Sequence, residues 1–361
     1  MDRSELLDWL CETDEQRLRD LWRRADEVRR RHVGEQVHLR GLIEFSNHCV
    51  RSCLYCGLRA GHVSLRRYRM TADEIRRCAD RAAALGYGTV VLQSGQDPAL
   101  DTDWLAGVVA AIKRGTSLAV TLSVGEYGDE ALAKWRDAGA DRYLLRFETS
   151  NRGLYERIHP SLPGERSDRI AMLGRLRGLG YEVGSGVMIG IPGQTYEDLA
   201  ADIELFGVMS LDMIGVGPYR PHVSTPLGQD QHPLHTSGDR QVPNSAEMAC
   251  KVIALTRLVC PQSNVPSTTA LAAADNADGY ERGLLCGANV VMPNLTPACY
   301  RRLYDLYPGK ACVGEAWHDG DTRIRQRIAA IGRHVGIGRG DSPSYLARAA
   351  ALGRMGQEVL L

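Results

Sequence analysis

Three closely spaced cysteines are the residues of this chain best suited to chemistry. Cys49, Cys53 and Cys56 form a C-x₃-C-x₂-C pattern. Three thiolates on a short loop can bind three irons of a cubane [4Fe–4S] cluster. The fourth iron then has no protein ligand, and the amino and carboxylate groups of S-adenosylmethionine (SAM) are suited to chelate it. The pattern therefore predicts an iron–sulfur centre that binds SAM.

A structural zinc site is the alternative for the same cysteines, with His48 or His62 as the fourth ligand. Structural zinc is usually held by four Cys or His side chains that arrive in separated pairs. The sequence shows no second pair to complete such a site. The aromatic Tyr55 directly before the last cysteine also favours the cluster over zinc.

The other seven cysteines are widely spaced, and their density is too low for a disulfide framework in a chain of 361 residues. Cys78, Cys250, Cys260 and Cys286 fall in apolar, helix-like surroundings. In such places a thiol behaves as a small hydrophobic side chain.

The elements that must position the triad follow from hydrophobic periodicity, because short β-rich runs alternate with amphipathic helical stretches from about Val37 onward. The predicted strands are Val37–Ser46, Gly88–Ser94, Leu118–Val124, Arg142–Phe147, Glu182–Ile189, Asp212–Val216, Asn264–Thr268 and Ala288–Met292. The predicted helices include Ala72–Leu85, Asp129–Ala138, Asp168–Leu179, Tyr196–Phe206 and Ala246–Val259.

Eight strands, each followed by a crossover, predict an α/β fold with a closed parallel (βα)₈ TIM barrel. The barrel is expected over residues 37–313, between an N-terminal helical extension at 1–36 and a C-terminal extension at 314–361. Active residues of such barrels lie at the C-terminal ends of the strands. The cysteine triad directly follows the first strand, at that end.

Composition narrows the class of protein. Lys+Arg and Asp+Glu both number 44, so the formal net charge is +0 and gives no general attraction for nucleic acid or an anionic membrane. The longest apolar run, about Trp104–Ile112, is far too short to span a membrane. The N-terminus lacks the pattern of a signal peptide, so we expect a cytoplasmic protein.

The triad and its flanking residues resemble the radical SAM superfamily and, within it, the hydrogenase maturase HydE family. The resemblance covers roughly residues 37–313. The similar stretches are Ile43–Asn47 with the triad, Gly57–Arg59, Val91–Gly95, Thr121–Glu126, Asp141–Thr149, Gly190–Thr195, Gly215–Tyr219 and Met292–Pro297.

This resemblance implies a radical SAM barrel in which SAM is cleaved reductively to a 5′-deoxyadenosyl radical. It also implies a substrate, a cysteine-bound Fe(CO)₂(CN) complex that leads to the two-iron subcluster of [FeFe]-hydrogenase. Other hydrogenase maturases and an electron donor are the implied partners.

The resemblance further implies a set of SAM-binding residues at the strand ends. A cation can pair with the SAM carboxylate, and a carboxylate can accept from its ammonium or ribose groups. The candidates are Tyr55, Gln93, Ser94, Ser123, Glu148, Arg169 and Met188. For Glu148 and Arg169 the alternative is a surface ion pair, and for Met188 it is ordinary core packing. The turn at Gly190–Thr195 either shapes the nucleoside pocket or simply joins a strand to a helix.

The candidate substrate residues come from two arguments. Arg40 and Arg142 lie within predicted strands, and an arginine that points into a barrel is costly unless it is paired, which a substrate carboxylate would do. The alternative is that both point outward toward helices. The resemblance implies that Thr268, Thr269, Met292, Tyr304 and Tyr307 line the deep cavity, although helical packing is an alternative for the two tyrosines.

One departure from the family and two alternatives complete the analysis. Some family members carry a second cluster on three C-terminal cysteines, but here only Cys312 lies in that region, with Gly320 and Arg323 about where the others would be. We therefore predict no complete second cluster. The alternative functions are a radical SAM amino-acid mutase resembling methylornithine synthase and a non-catalytic iron–sulfur scaffold.

Overall fold

A computed structural model describes residues 1–229, 233–234, 240–275, 279–309 and 317–358. The strands are β1 Gln36–Ser46, β2 Thr89–Ser94, β3 Ala119–Ser123, β4 Arg142–Leu144, β5 Glu182–Ser185, β6 Met188–Ile189, β7 Met213–Ile214, β8 Gly217–Pro218, β9 Val290–Val291 and β10 His334–Val335. Cys312 lies outside the described residues, so the structure gives no account of it.

The helices alternate with the strands. They are α1 Arg3–Cys11, α2 Glu15–Val33, α3 Ala72–Ala84, α4 Thr102–Gly115, α5 Asp129–Asp137, α6 Arg152–Ile158, α7 Arg169–Gly178, α8 Tyr196–Val208, α9 Ala246–Val259, α10 Thr269–Ala274, α11 Gly279–Leu285, α12 Ala298–Arg301, α13 Trp317–Ala330 and α14 Pro343–Glu358, with a 3₁₀ turn at Pro226–Gly228.

The strands form a parallel barrel. Strands β1 to β5 pair in chain order, and β5 pairs with β7. The ring then closes through the parallel bridges Met213–Asn264 and Pro266–Val290 and the pairing of β9 with β1. The predicted (βα)₈ barrel is confirmed, although its last strands are shorter than the sequence pattern indicates. The seventh consists of isolated bridges near Asn264 and Pro266.

Local sequence sets the start of several helices. Thr71 and Glu74 form a capping box at α3, and Thr195 and Asp198 form one at α8. Helix α3 buries Ile75, Cys78 and neighbouring alanines against the barrel and exposes its charged residues. The predicted and observed boundaries of these helices therefore agree within about two residues, which is the usual uncertainty of a helix end.

The two extensions cover different parts of the barrel. Helix α1 packs on α8 and α9, and α2 packs on α9, so the N-terminal extension covers the outer helices. The segment from β10 into α14 lies across the N-terminal ends of the strands. There Gly88 approaches so closely that a Cβ atom would lie 1.6 Å from the Gly338 carbonyl oxygen. None of the helices within the described ranges is both long and apolar enough to cross a membrane.

Candidate functional site

The cysteine loop follows β1 at the C-terminal end of the barrel and is held by its neighbours. The backbone N–H of Val50 donates to Gln96 O at 2.9 Å, and that of Leu54 donates to Ile158 O at 2.8 Å. On the far side, the N–H of Gly57 donates to Leu306 O at 3.0 Å. Bonds to three separate segments of the chain fix the path of the triad before any ligand binds.

A close backbone approach places the loop against the end of β2. A Cβ atom on Gly95 would lie 2.3 Å from the His48 carbonyl oxygen and 2.7 Å from Cys49 Cβ. Only glycine fits between these two segments of the backbone at that separation. Gly95 therefore allows the first cysteine to lie beside the polar end of β2, which carries Gln93 and Ser94.

A cavity of about 310 Å³ opens inside the barrel next to this loop. Cys53 and Cys56 line it, together with residues from the ends of nearly every strand. The cavity size suits a small molecule rather than a polymer. Of the predicted residues, the cavity wall contains Tyr55, Gln93, Ser94, Ser123, Glu148, Arg169, Met188, Thr268, Thr269, Met292, Tyr304 and Tyr307.

Three predicted residues do not line this cavity. Cys49 lies half-buried on the loop beside Gly95. Arg40 and Arg142 are fully buried at the opposite end of the barrel. Arg142 pairs with Glu182 and Asp341, and Arg40 donates to the Gly340 carbonyl at 3.0 Å. Neither arginine lines the cavity, and protein groups bond to both, although Arg40 Nε has no hydrogen-bond partner. The structure therefore does not bring these two predicted carboxylate-binding residues to the candidate site.

The turn at 190–195 stands behind the cavity rather than in its wall. The side chain of Gln194 accepts from the Gly190 N–H at 2.7 Å and donates to Met188 O at 3.1 Å. The turn thus supports Met188, which does line the cavity. The residues of the turn do not themselves line the cavity.

Burial opposes the ionisation of two thiols of the triad, those of Cys53 and Cys56. Burial raises the pKa of Cys53 to about 12, against the opposing charge of Arg169. Burial also raises the pKa of Cys56 well above its usual value, and the neighbouring thiols Cys53 and Cys49 raise it further. A bound metal reverses this preference, because only the thiolate is a ligand and binding releases the proton.

The donor set fits a cluster rather than one metal ion. Each thiolate of a cubane binds a different iron, so the three sulfurs need not meet at a point. In the described part of the chain, no group of three or more His, Cys, Asp or Glu side chains is placed to hold a single ion. His62, a possible zinc ligand, instead contacts the Gly57 carbonyl at 2.7 Å and the ring of His222. The described residues therefore do not form the zinc site that the spacing allowed.

Glu148 is the most strained residue of the cavity. Its φ is +67°, a left-handed conformation that costs a non-glycine residue about 1–3 kcal/mol. Burial raises the pKa of its carboxyl group, against the charges of Arg146 and Arg169. Its Oε2 lies 3.2 Å from Arg146 Nη2, but the angles are too poor for a hydrogen bond and both atoms lack one. Such a pair is poised to bind an outside ligand.

The sequence analysis missed several cavity residues that carry unpartnered polar atoms. These atoms are Arg51 Nη1, Arg146 Nε, the Tyr219 hydroxyl and Arg220 Nε. A signal existed for Arg146, since it lies two residues before Glu148 at a strand end, where alternate residues share a face. Buried polar atoms are nearly always paired, so this concentration marks a place for a polar ligand.

Glu126 was also missed, although it follows the polar end of β3. Its carboxylate accepts from Arg169 Nε at 3.0 Å and Ser167 Oγ at 2.8 Å, and it pairs with Arg51 Nη2 at 3.1 Å. Burial opposes its charge, but the bond from His159 and the two arginines hold its pKa far below the usual value. Glu126 thus fixes Arg169, whose Nη1 lies 3.9 Å from Glu148 Oε1.

His159 is a further residue that nothing in the sequence indicated. Its Nδ1 lies 3.0 Å from Cys53 Sγ, and its Nε2 lies 3.2 Å from Glu126 Oε1. Burial, aided by the charge of Arg169, lowers the pKa of this imidazole to about 4. A neutral ring therefore stands directly behind the second cysteine of the triad.

Comparisons with known proteins show which proteins this chain is similar to. The model of the radical SAM superfamily matches residues 43–206. The [FeFe] hydrogenase maturase subunit HydE of Thermotoga maritima is 45% identical over 316 residues, covering 88% of this chain and 86% of that protein. The 3-methylornithine synthase of Methanosarcina acetivorans is 27% identical, covering 77% and 75%. The crystal structure of methylornithine synthase (PylB) superposes with a TM-score of 0.77 at 23% identity, covering 93% of this chain and 94% of the other.

Proposed function

Because the chain belongs to the radical SAM superfamily, within the family of the hydrogenase maturase subunit HydE, we propose that it is a radical enzyme of [FeFe]-hydrogenase maturation. Its cofactors are a [4Fe–4S] cluster and SAM. When bound, the cluster supplies the electron that cleaves SAM to methionine and a 5′-deoxyadenosyl radical. We assign Cys49, Cys53 and Cys56 as its ligands.

One observation carries the proposal. A single cavity is lined both by the cysteine loop and by a separate set of polar residues from other strand ends. Glu148 and Arg169 lie on the side of the loop, where a carboxylate and a cation suit the ammonium and carboxylate groups of SAM. Tyr55 and Met188 belong to a small apolar cluster beside them that suits an adenosyl group. Gln93, Ser94 and Ser123 offer uncharged hydrogen-bonding groups to the ribose or methionine part.

The rest of the cavity suits a small zwitterionic substrate. Thr268 and Thr269 line it, and the Nε and Nη2 of Arg146, which have no hydrogen-bond partner, can bind a carboxylate in a bidentate manner. Met292 and Tyr307 add apolar surface, and Tyr304 is held by Gln93 through a hydrogen bond of 3.2 Å. We propose the cysteine-bound Fe(CO)₂(CN) complex as the substrate, whose cysteine carries the carboxylate that Arg146 would bind.

The proposal also implies partners. The product of such a reaction is an intermediate of the two-iron subcluster, so another hydrogenase maturase must receive it. An electron donor must reach the cysteine loop. Ser52, within this loop, is exposed, so the loop touches the surface there.

The test is an anaerobic reconstitution with iron and sulfide, followed by reduction, addition of SAM and addition of the iron–cysteine complex. We expect about four irons per chain, an electron paramagnetic resonance (EPR) signal that changes with SAM, and 5′-deoxyadenosine released when the complex is added. Cys53→Ala should lose iron and product together. Cys78→Ala, which removes a buried thiol of α3 that does not line the cavity, should keep both.

The same experiment separates the alternatives. Consumption of a free amino acid with SAM, and no turnover of the iron–cysteine complex, would replace the maturase proposal by an amino-acid mutase. A loaded cluster that binds SAM but yields no 5′-deoxyadenosine with any substrate would indicate a scaffold. The maturase proposal requires product with the iron–cysteine complex.

A further inference from the structure

One buried contact of the cysteine loop goes beyond the assignment of ligands. His159 follows α6 and is fully buried, with its Nδ1 3.0 Å from Cys53 Sγ. Its own N–H donates to Tyr155 O at 2.8 Å, and its ring stacks on the ring of Tyr155 with centroids 5.0 Å apart. The imidazole is thus held in place by protein packing, independently of any ligand.

The opposite edge of the ring has two partners of different character. Nε2 lies 3.2 Å from Arg169 Nη2, which can only donate, and 3.2 Å from Glu126 Oε1, which can only accept. Either proton position on the ring is therefore satisfied at this edge. The other edge faces Cys53 Sγ and, at 3.3 Å, the hydroxyl group of Tyr55. Whether the ring proton of His159 lies on Nδ1 or on Nε2 therefore depends on its contact with the cysteine.

A metal-bound cysteine is a thiolate and has no proton to donate. To keep the contact with Sγ, the ring must then carry its proton on Nδ1, while Nε2 accepts from Arg169. We propose that His159 donates this N–H to the sulfur of Cys53 when the cluster is bound and so raises its reduction potential. The inference rests on the proposed assignment of Cys53 as a cluster ligand.

The expected direction follows from charge. Reduction adds an electron that is shared with the sulfur atoms, and a hydrogen bond to sulfur stabilises the more negative state. Partners beyond the ligands commonly tune a metal centre in this way. His159 contacts Cys53 and is not part of the cavity wall, so it is a positioning residue for the cluster.

The test compares three proteins reconstituted anaerobically, with iron counted and the reduction midpoint followed by EPR at one pH and without SAM. His159→Phe keeps the ring and its packing but removes the N–H. We expect about four irons, as in wild type, and a tenfold lower ratio of reduced to oxidised cluster at a fixed potential, equal to about 59 mV for one electron. His222→Phe is the matched control. His222 is also buried beside the loop but bonds with Asp305 rather than a thiol, so its variant should keep the wild-type midpoint.

Two conservative variants keep the proposal testable even if the phenylalanine variant does not load iron. The amide N–H of His159→Asn can occupy the position of Nδ1, whereas that of His159→Gln reaches toward Nε2. We expect the Asn midpoint to lie nearer to wild type than the Gln midpoint. The reverse order, or a wild-type midpoint in fully loaded His159→Phe, would overturn the inference. Failure of the wild-type protein to bind four irons, or full binding in Cys53→Ala, would instead refute the assignment of the triad.

Discussion

The two ends of the barrel both bury arginines and carboxylates, yet they treat them in opposite ways. At the C-terminal end, Arg51, Arg146, Glu148 and Arg220 each leave a polar atom without a hydrogen bond at the wall of the cavity. At the N-terminal end, the single side chain of Arg142 has four protein partners. It bonds with Glu182, with Asp341, with Thr89 Oγ1 at 2.8 Å and with Arg339 O at 2.9 Å.

The segment from β10 into α14 makes this difference. It supplies Asp341, the carbonyl groups of Arg339 and Gly340, and Arg348, which pairs with the buried Asp212 at 2.6 Å. A few atoms there stay unpartnered, such as His38 Nδ1 and Arg40 Nε. The lesson is that burial of a charge does not identify a ligand site. A buried charge marks a ligand site when the protein leaves its hydrogen bonds unsatisfied at the wall of a cavity.

We call the N-terminal end of the barrel, where the protein satisfies the buried charges, the closed end, and the C-terminal end with the cavity the open end. The largest expected effect is at the closed end. Arg142→Gln should lower the free energy of unfolding by about 3–5 kcal/mol, because it leaves Glu182 and Asp341 without their partner. The affinity for SAM should stay unchanged. Urea denaturation and calorimetric titration with SAM measure the two quantities. A loss of SAM affinity without loss of stability would place Arg142 in the binding site and break the comparison.

The next effect concerns a carboxylate that supports the open end. Asp202 is fully buried and accepts from the N–H and hydroxyl group of Ser150 at 2.5 and 2.6 Å, two residues beyond Glu148. Burial raises its pKa from 3.8 to about 7, against the bonds from Ser150. Since the folded pKa lies above the unfolded one, the folded state holds a proton that the unfolded chain has released. Stability from this group is therefore present below pH 4 and is lost as the pH rises to 7.

Asp202→Asn should remove this dependence. Relative to the variant, the wild-type protein should lose up to about 1.4 kcal/mol of unfolding free energy per pH unit between pH 5 and 6, and about half as much per unit at pH 7. Urea denaturation of both proteins at pH 5, 6 and 7 provides the measurement. Parallel curves for the two proteins would show that Asp202 is already ionised in the folded state at pH 5.

A smaller effect is expected from Glu148→Gln at the open end. The variant keeps the size of the side chain but loses a charged partner for SAM, which is worth about 1.5–3 kcal/mol, or roughly a 10- to 100-fold loss of affinity. Stability should change little, because the Glu148–Arg146 pair lacks a hydrogen bond. The matched control is Glu182→Gln, which should cost stability and leave SAM binding unchanged. The same result in both variants would erase the distinction between the two ends.

The smallest effect sharpens the comparison at one atom. Tyr219→Phe removes a hydroxyl group that has no protein partner, so stability should be retained. If this group meets SAM, affinity should fall by about 0.5–1.5 kcal/mol, roughly 2- to 10-fold. Tyr181→Phe is the control, since its hydroxyl donates to Leu132 O at 2.7 Å away from the cavity. That variant should lose about 1 kcal/mol of stability and no affinity. An unchanged SAM affinity in Tyr219→Phe would remove this hydroxyl group from the SAM site.

Much of the fold could be predicted because its signals are local. Alternating β-rich runs and amphipathic helices located the strands of the barrel, and Ala246–Val259 was predicted with both helix ends correct. The seventh and eighth strands were predicted too long, since only Asn264, Pro266 and Val290–Val291 within them make ladder contacts. Periodicity shows that a run is extended but not how far its neighbours pair with it.

The cavity residues at strand ends were predictable for a related reason. Parallel strands in a barrel all end at the same rim, so polar residues that terminate different strands must converge. Gln93, Ser94, Ser123 and Glu148 reach the cavity on that rule. Arg40 and Arg142 do not reach the cavity, because the side chain of a strand residue inside the barrel can lie toward either end. Their partners are distant in the chain: Glu182 lies 40 residues from Arg142, Asp341 lies 199 residues from it, and Gly340 lies 300 residues from Arg40.

The sequence by itself determined the barrel, the cysteine loop after its first strand and the polar rim, because spacing and periodicity act over a few residues. Only the tertiary structure decided which buried charges are satisfied. It brought Glu126, His159 and Arg169 together at the back of Cys53, and it laid the chain from residue 334 to 348 across the other end. The hydrophobic pattern fixes which residues are buried. It does not fix which distant polar group meets each of them, and that choice separates a binding site from a sealed core.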